Sequence, residues 1–187
     1  MFIQMAERLL DSVGGFFVML LLARFYFQYL RVSLQNPLGG FVLALTDWFI
    51  LPLRRVMPRW GRVDFASLLA AGVVHALCLV LLGLVSGASF SVFSWPALLM
   101  LSALDLLRSS VHLLVFALLL QAVLSWTQPF SPMATVLNAL VGPLLRPIQR
   151  VIPLIGNIDL SPLVLLVLLQ LLLIPLAHIR LLIAMSF

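Results

Sequence analysis

The sequence predicts an all-α membrane protein whose four principal transmembrane helices pair as two parallel-repeat hairpins, each with a short re-entrant or interfacial helix. Three observations predict it. The 187 residues are 64% hydrophobic and 9% charged, with a mean hydropathy of +1.22, against roughly 45–50% apolar and about 25% charged residues in soluble domains. Four segments approach or exceed the roughly 20 apolar residues that a helix needs to cross a bilayer. The stretch "PLRRVMPRWGRVDF", Pro52–Phe65, returns 95 residues later as "PIQRVIPLIGNIDL", Pro147–Leu160.

The first span, Val13–Leu30, is apolar apart from Arg24 and Gln28. It is not read as a cleavable signal, because Glu7, Arg8 and Asp11 make its lead-in weakly acidic and Arg24 falls inside the apolar run. Arg24, Gln28, Arg31 and Gln35 fall at i, i+4, i+7 and i+11, one face of a continuous helix. In lipid that face turns inward. A charged Arg near midspan costs about 2.5–3.5 kcal/mol on insertion scales, so Arg24 needs protein contacts or a snorkelling route to the interface. An ion or proton path along this face is the alternative.

After the first span comes Phe41–Leu51, apolar but only 11 residues long, which fits a re-entrant or interfacial segment better than a crossing. The second span, Phe65–Val85, is interrupted only by His75 and small residues, and it closes a first repeat, 13–86. A linker follows, 87–108. Within it Pro96 near a helix start, and Asp105 with Arg108 near its end, suggest an amphipathic lead-in over Trp95–Leu107.

The second repeat, 109–184, has the same parts. Its first span, Val111–Trp126, contains Gln121 and Ser125; the short segment Ala134–Leu145 has 12 residues; its second span, Pro162–Ile183, carries Gln170, His178 and Arg180. His75 and Gln170 each stand 11 residues after an aspartate, at matching depth, where they are expected to hydrogen-bond across the bundle.

The connectors explain the repetition. Adding 95 maps Pro52 to Pro147, Arg55 to Arg150, Pro58 to Pro153, Gly61 to Gly156 and Asp64 to Asp159. Prolines on both sides of an arginine predict a pinned, extended-to-turn connector, and the glycine supplies a permissive backbone for its last turn. Asp64 and Asp159 then stand as helix caps, where a carboxylate can accept first-turn N–H groups and complement the helix dipole. All 11 basic residues are Arg, and seven of them, Arg31, Arg54, Arg55, Arg59, Arg62, Arg146 and Arg150, lie between paired spans. Positive-inside topology places both connectors in the cytoplasm. Two crossings per repeat then make the copies parallel, related by an axis along the membrane normal. Arg54, Arg55, Arg59, Arg62, Arg146 and Arg150 are therefore candidates for binding anionic lipid headgroups or a partner's acidic surface, since guanidinium suits phosphate through paired donors.

"PLRRVMPRWGRVDFASLL" and "LLRPIQRVIPLIGNIDLSPLVLLVLLQ", with "NPLGGFV" after the first span and "LSWTQPFSP" after the third, resemble the bacterial YggT family in its two-repeat form, from about Val13 to Pro175. Two departures stand out. Gln149 replaces the arginine that Arg54 supplies, and Ala66 with Ser67 replaces Ser161 with Pro162. The resemblance implies a multi-pass protein of the bacterial inner (plasma) membrane without an established enzymatic reaction. Family members are linked to cell division, envelope and osmotic-stress tolerance, and plastid relatives to nucleoid distribution and haem attachment on a cytochrome b.

Enzymatic and cofactor signals are poor. Cys78 is the only cysteine, which excludes an internal disulfide and any CxxC or CxxCH signature. His75 and Cys78 share a face, but two ligands do not make a metal site, and nothing in the spacing of His75, His112 and His178 demands a haem. No cofactor is expected, and no nucleic-acid partner, because the net charge of +5 is explained by orientation. Two function classes remain. One is an assembly or scaffold factor holding other membrane proteins or further copies of itself near the cytoplasmic leaflet. The other is a small transporter or channel around the intramembrane polar residues Arg24, Gln28, His75, Gln121 and Gln170.

Overall fold

The computed structural model describes residues 2–32, 34–56, 64–85, 95–152 and 159–186. Among them are six helices and no strand: α1 (Phe2–Tyr29), α2 (Pro37–Val56), α3 (Phe65–Val85), α4 (Trp95–Thr127), α5 (Pro132–Val151) and α6 (Ser161–Ser186). Four of these contain stretches long and apolar enough to cross a membrane: Ile3–Tyr29, Phe65–Val85, Trp95–Thr127 and Ser161–Met185. The four expected spans are therefore α1, α3, α4 and α6. At 33 residues α4 is about 50 Å long, well beyond the roughly 30 Å hydrocarbon core. Trp95–Leu107 is one continuous helix with the third span, and exposed Trp95 and Trp126 mark its two ends, where amphipathic rings favour the headgroup level.

Two expectations change. The short apolar segments are not helices of 11 and 12 residues. Each lies within a helix of 20 residues. Both start the same way: Gly39 N–H donates to Asn36 Oδ1 at 2.8 Å ahead of Pro37, and Ala134 N–H donates to the N-cap Ser131 Oγ at 3.1 Å ahead of Pro132. Asn36 and Ser131 are 95 apart, so the two copies share a polar cap followed by a proline whose missing N–H costs nothing in the first turn. Nor do Pro52 and Pro147 break the chain into a turn. Pro52 lies inside α2, and Pro143 and Pro147 lie inside α5. An internal proline forfeits one i→i−4 bond, and the buried faces of Val42, Thr46 and Ile50 on α2 and of Leu137, Val141 and Leu145 on α5 hold the helices against the bundle. Pro58, Gly61, Pro153 and Gly156 lie outside the described residues.

Arg31 also departs from expectation. The helical face drawn through Arg24, Gln28, Arg31 and Gln35 ends at Tyr29, because Arg31 adopts a left-handed backbone with φ 54°. Val32 N–H donates to Phe27 C=O at 2.8 Å and Arg31 N–H to Gln28 C=O at 3.2 Å, which is a Schellman ending with arginine in the position that usually holds glycine. A side chain costs about 1–2 kcal/mol in this conformation. Arg31→Gly is therefore expected to raise the unfolding free energy by about 1 kcal/mol, read as a higher melting temperature in detergent. A fall would assign the Arg31 side chain a stabilising contact larger than the strain.

The core joins all six helices, α2 through Val42 and Ile50. Val18, Leu21 and Leu22 of α1 meet Ala70 and Ala71 of α3, with Val111, Ala117 and Leu118 of α4, Leu137 and Leu140 of α5, and Leu165 and Leu169 of α6 completing one buried cluster. α1 and α3 pack most extensively, and α4 with α6 next. Small residues at the α1–α3 seam set the approach. A Cβ at Gly14 would overlap the Cys78 sulfur, while at the other end of the pair Gln28 reaches Arg54, which in turn holds Asp64 just ahead of α3. The two helices therefore run antiparallel.

Candidate functional site

The bundle concentrates charge in the first repeat. Arg24 is 1% exposed, and packing alone would leave its guanidinium in a medium where charge is costly. Instead its Nη1 donates to Thr46 Oγ1 at 2.7 Å and lies 2.8 Å from Asp47 Oδ1. The Thr46 hydroxyl passes its own hydrogen to Val42 C=O at 2.7 Å, so both of its roles are filled. This works because α2 turns Val42, Thr46 and Ile50, spaced by four, toward α1. Asp47 sits beside that stripe with its side chain 40% exposed.

One turn further along α1, Gln28 Oε1 accepts from Arg54 Nη2 at 3.2 Å, and the same nitrogen reaches Asp64 Oδ2 at 2.5 Å. Ser67 Oγ donates to that oxygen at 2.7 Å. Three helices are tied by one chain of polar groups. Arg54 lies in the last turn of α2 and Asp64 stands before the first turn of α3, where each charge also complements its helix dipole. The cap at Asp64 is made by its backbone: the Asp64 carbonyl takes the Ser67 and Leu68 N–H groups, while the carboxylate takes Arg54 and the Ser67 hydroxyl. Burial pushes the Asp64 carboxyl up, but the Ser67 hydroxyl and the Arg54 hydrogen bond and charge outweigh it, holding the group below its usual range.

The second repeat is the same frame with glutamine in place of the arginine. Gln149 Nε2 donates to Asp159 Oδ2 at 2.8 Å, in the place of the Arg54–Asp64 ion pair. Asp159 is exposed, and its Oδ1 accepts the Ser161 N–H at 2.9 Å, while the main-chain cap of α6 is the Leu160 carbonyl. Hydrogen bonds from Ser161 and Gln149 outweigh the burial that would raise this carboxyl and bring it below its ordinary value. Leu119, Val123, Val141 and Gly142 occupy the positions equivalent to Arg24, Gln28, Thr46 and Asp47. No second polar chain can form there.

The remaining candidates separate. Arg55, Arg146 and Arg150 are exposed at the ends of α2 and α5 and make no ion pair among the described residues. Arg59 and Arg62 lie outside the described residues. Gln121 donates to Asn138 Oδ1 at 2.9 Å, joining α4 to α5. The expected His75–Gln170 hydrogen bond is not formed: Gln170 is exposed on α6, one position past buried Leu169, and His75 Nδ1 is buried without a partner among the described residues. A repeat-equivalent position fixed neither residue's facing, because α3 and α6 have different neighbours.

Asp47, Thr46 and Ser67 were not singled out from sequence, yet they complete the site. The signal for Asp47 was its place in an otherwise apolar segment, since an intramembrane Arg needs an acid and Asp47 is one of only six. Along α1 and α3 the polar chain is bounded by an apolar band, Leu20–Ala23 and Leu68–Val74. Among the described residues no three His, Cys, Asp or Glu side chains gather as a metal site.

Residues 3–85 and 100–180 each match the family model described as CCB3/YggT, and these two segments divide the chain as the internal repeat does. The chain is 38% identical over 163 residues to the uncharacterized protein YggT of Escherichia coli strain K12, covering 86% of this chain and 83% of that one. It is 37% identical to a Vibrio alginolyticus protein described from the proC 3′ region, covering 87% and 88%, and 32% identical to an uncharacterized Pseudomonas aeruginosa protein, covering 82% and 79%. No solved structure matches it. Two matched segments, four apolar helices of membrane-spanning length and relatives covered over most of their length lead to one conclusion: the chain is a membrane protein belonging to the CCB3/YggT family.

Proposed function

We propose that this protein is a non-enzymatic scaffold of the bacterial inner membrane, which holds other membrane proteins at the leaflet bearing its two connectors. The observation that carries this reading is the division of its arginines. Arg24, Arg54, Arg108 and Arg180 are each paired with an aspartate, whereas Arg55, Arg146 and Arg150 stand exposed at the ends of α2 and α5 without one among the described residues. Guanidiniums so placed take phosphate or carboxylate oxygens, from lipid headgroups and from a partner's acidic surface. The amphipathic α2 and α5 lie along the interface as the third helix of each parallel hairpin, with both connectors cytoplasmic by charge. Cell division, envelope maintenance under osmotic stress and cytochrome assembly are settings in which such a scaffold would act.

Transport is the second reading, favoured by the buried charges of the first repeat. The apolar band of Leu20–Ala23 and Leu68–Val74 weighs against it, since an ion crossing that band would lose its hydration without replacement. The decisive variant is Arg55→Gln/Arg150→Gln. It is expected to melt like the parent yet lose most of the partner recovered by crosslinking and copurification from native membranes. Unchanged recovery, together with solute flux in proteoliposomes, would replace the scaffold with a transporter.

A further inference from the structure

A cavity of about 480 Å³ lies between α1, α3, α4 and α6, at the opposite end of the α1–α3 pair from the Arg54–Asp64 ion pair. Three helices line it with faces of the same spacing. α1 presents Asp11, Gly14, Gly15 and Val18, and α4 presents Asp105, Arg108, Ser109 and His112, each at i, i+3, i+4 and i+7. α3 closes the third side with His75 and Cys78. Gly15 leaves part of this volume empty, since nothing lies within 4 Å of a Cβ added there. A volume of this size suits a small ligand.

Its charges are segregated by wall. On the α4–α6 side, Asp105 is 6% exposed and is shared by two guanidiniums. Arg180 Nε reaches both of its oxygens at 2.9 and 3.1 Å, and Arg108 Nη1 lies 3.5 Å from Oδ1. One carboxylate between two arginines leaves that wall with one positive charge. The α1 wall carries Asp11, which is exposed. Two buried polar atoms on the lining make no hydrogen bond among the described residues, Arg108 Nε and His75 Nδ1.

We infer that this cavity binds a small zwitterion, with its phosphate or carboxylate oxygens on Arg108 and Arg180 and its ammonium on Asp11. A simple anion would be repelled by Asp11 and a simple cation by the two arginines, whereas a ligand with both charges matches both walls and brings no net charge into the membrane. A guanidinium carries five N–H donors, so Arg108 and Arg180 keep donors for the anionic end beyond those that Asp105 accepts. The site is independent of the scaffold reading, because it lies across the apolar band from the connector arginines. The chemistry can come from a phosphoethanolamine lipid headgroup entering between helices, or from a free zwitterionic solute.

The test uses the full-length protein in nanodiscs and detergent, with three probes: phosphatidylethanolamine, phosphatidylglycerol, and soluble O-phosphoethanolamine. Native mass spectrometry of protein taken from mixed-lipid nanodiscs is expected to show phosphatidylethanolamine retained over phosphatidylglycerol if the lipid is the ligand. If the solute is the ligand, O-phosphoethanolamine raises the melting temperature of delipidated protein instead. Either result supports the site. Asp11→Asn, outside the Asp105 cluster, should weaken the effective probe by about tenfold while leaving the ligand-free melting temperature unchanged, and Arg108→Gln, which also gives up its 3.5 Å contact with Asp105, should weaken the probe as much whatever its own ligand-free melting temperature. The inference is overturned if neither zwitterion binds, if phosphatidylglycerol binds as well as phosphatidylethanolamine, or if Asp11→Asn leaves zwitterion binding intact, which would make the cavity an anion site only.

Discussion

Replacing Asp47 by alanine is expected to destabilise the protein more than removing the arginine it pairs with. The two side chains of this ion pair differ sharply in burial, 2% exposed for Arg24 and 40% for Asp47. Asp47→Ala leaves a buried guanidinium with only the neutral Thr46 hydroxyl as acceptor, and breaking a buried pair from the exposed side in this way costs about 3 kcal/mol or more. Arg24→Met keeps most of the volume, removes the charge, and leaves an aspartate that can turn to water; its cost should be about 1 kcal/mol. Thr46 remains satisfied in both variants through the Val42 carbonyl. Thermal unfolding of the two detergent-purified variants beside the parent measures the order. If Arg24→Met proved the more damaging, the guanidinium would be organising α1 against α2 by contacts other than the charge pair.

The two connector aspartates, equivalent in sequence, should behave unequally. Asp64 is 2% exposed and its carboxylate neutralises Arg54, so Asp64→Ala is expected to cost about 3–5 kcal/mol. Asp159 is exposed and bonded to a neutral glutamine and one backbone N–H, so Asp159→Ala should cost about 1 kcal/mol. The pH dependence follows from the depressed Asp64 pKa. A carboxyl bound more tightly to its charged form in the folded state contributes stability that is complete above the unfolded value of about 4 and is lost as pH falls through the folded value. The melting-temperature gap between parent and Asp64→Asn should therefore be constant from neutral pH to about pH 4 and close below it. The double variant Arg54→Gln/Asp64→Asn, which puts a neutral pair in place of the ion pair, should recover part of what Asp64→Asn alone loses. Equal losses at Asp64 and Asp159 would restore the symmetric picture of two helix caps.

Much of the architecture was legible because lipid makes composition and length decisive. The start of the second span at Phe65 was read from the sequence to the residue, since an apolar run opened by an aspartate admits few other starting points. The first and third spans run longer than expected: α1 starts at Phe2 and α4 at Trp95. Polar residues outside the hydrocarbon continue a helix as readily as apolar ones, so hydropathy marks the crossing and not the helix. α2 and α5 were underestimated for a related reason. Pro52 and Pro147 are strong breakers in an isolated chain, but a helix held along a buried face tolerates the lost hydrogen bond.

The sequence by itself determined the solvent, the spans, the twofold repetition and the residues that had to be explained, because apolar period, length and the 95-residue offset are properties of the chain alone. Only the tertiary structure decided how the polar residues are divided. Arg24 found Thr46 and Asp47, 22 and 23 positions away, Arg54 found Asp64 and Gln28, and Asp105 found Arg180 at a separation of 75. A buried charge is stabilised by whichever opposite group packing brings within about 3 Å, and that distance depends on how helices rotate against one another. The repeat fixes what each copy could have built; the neighbours of each helix fix which copy keeps its charges inside.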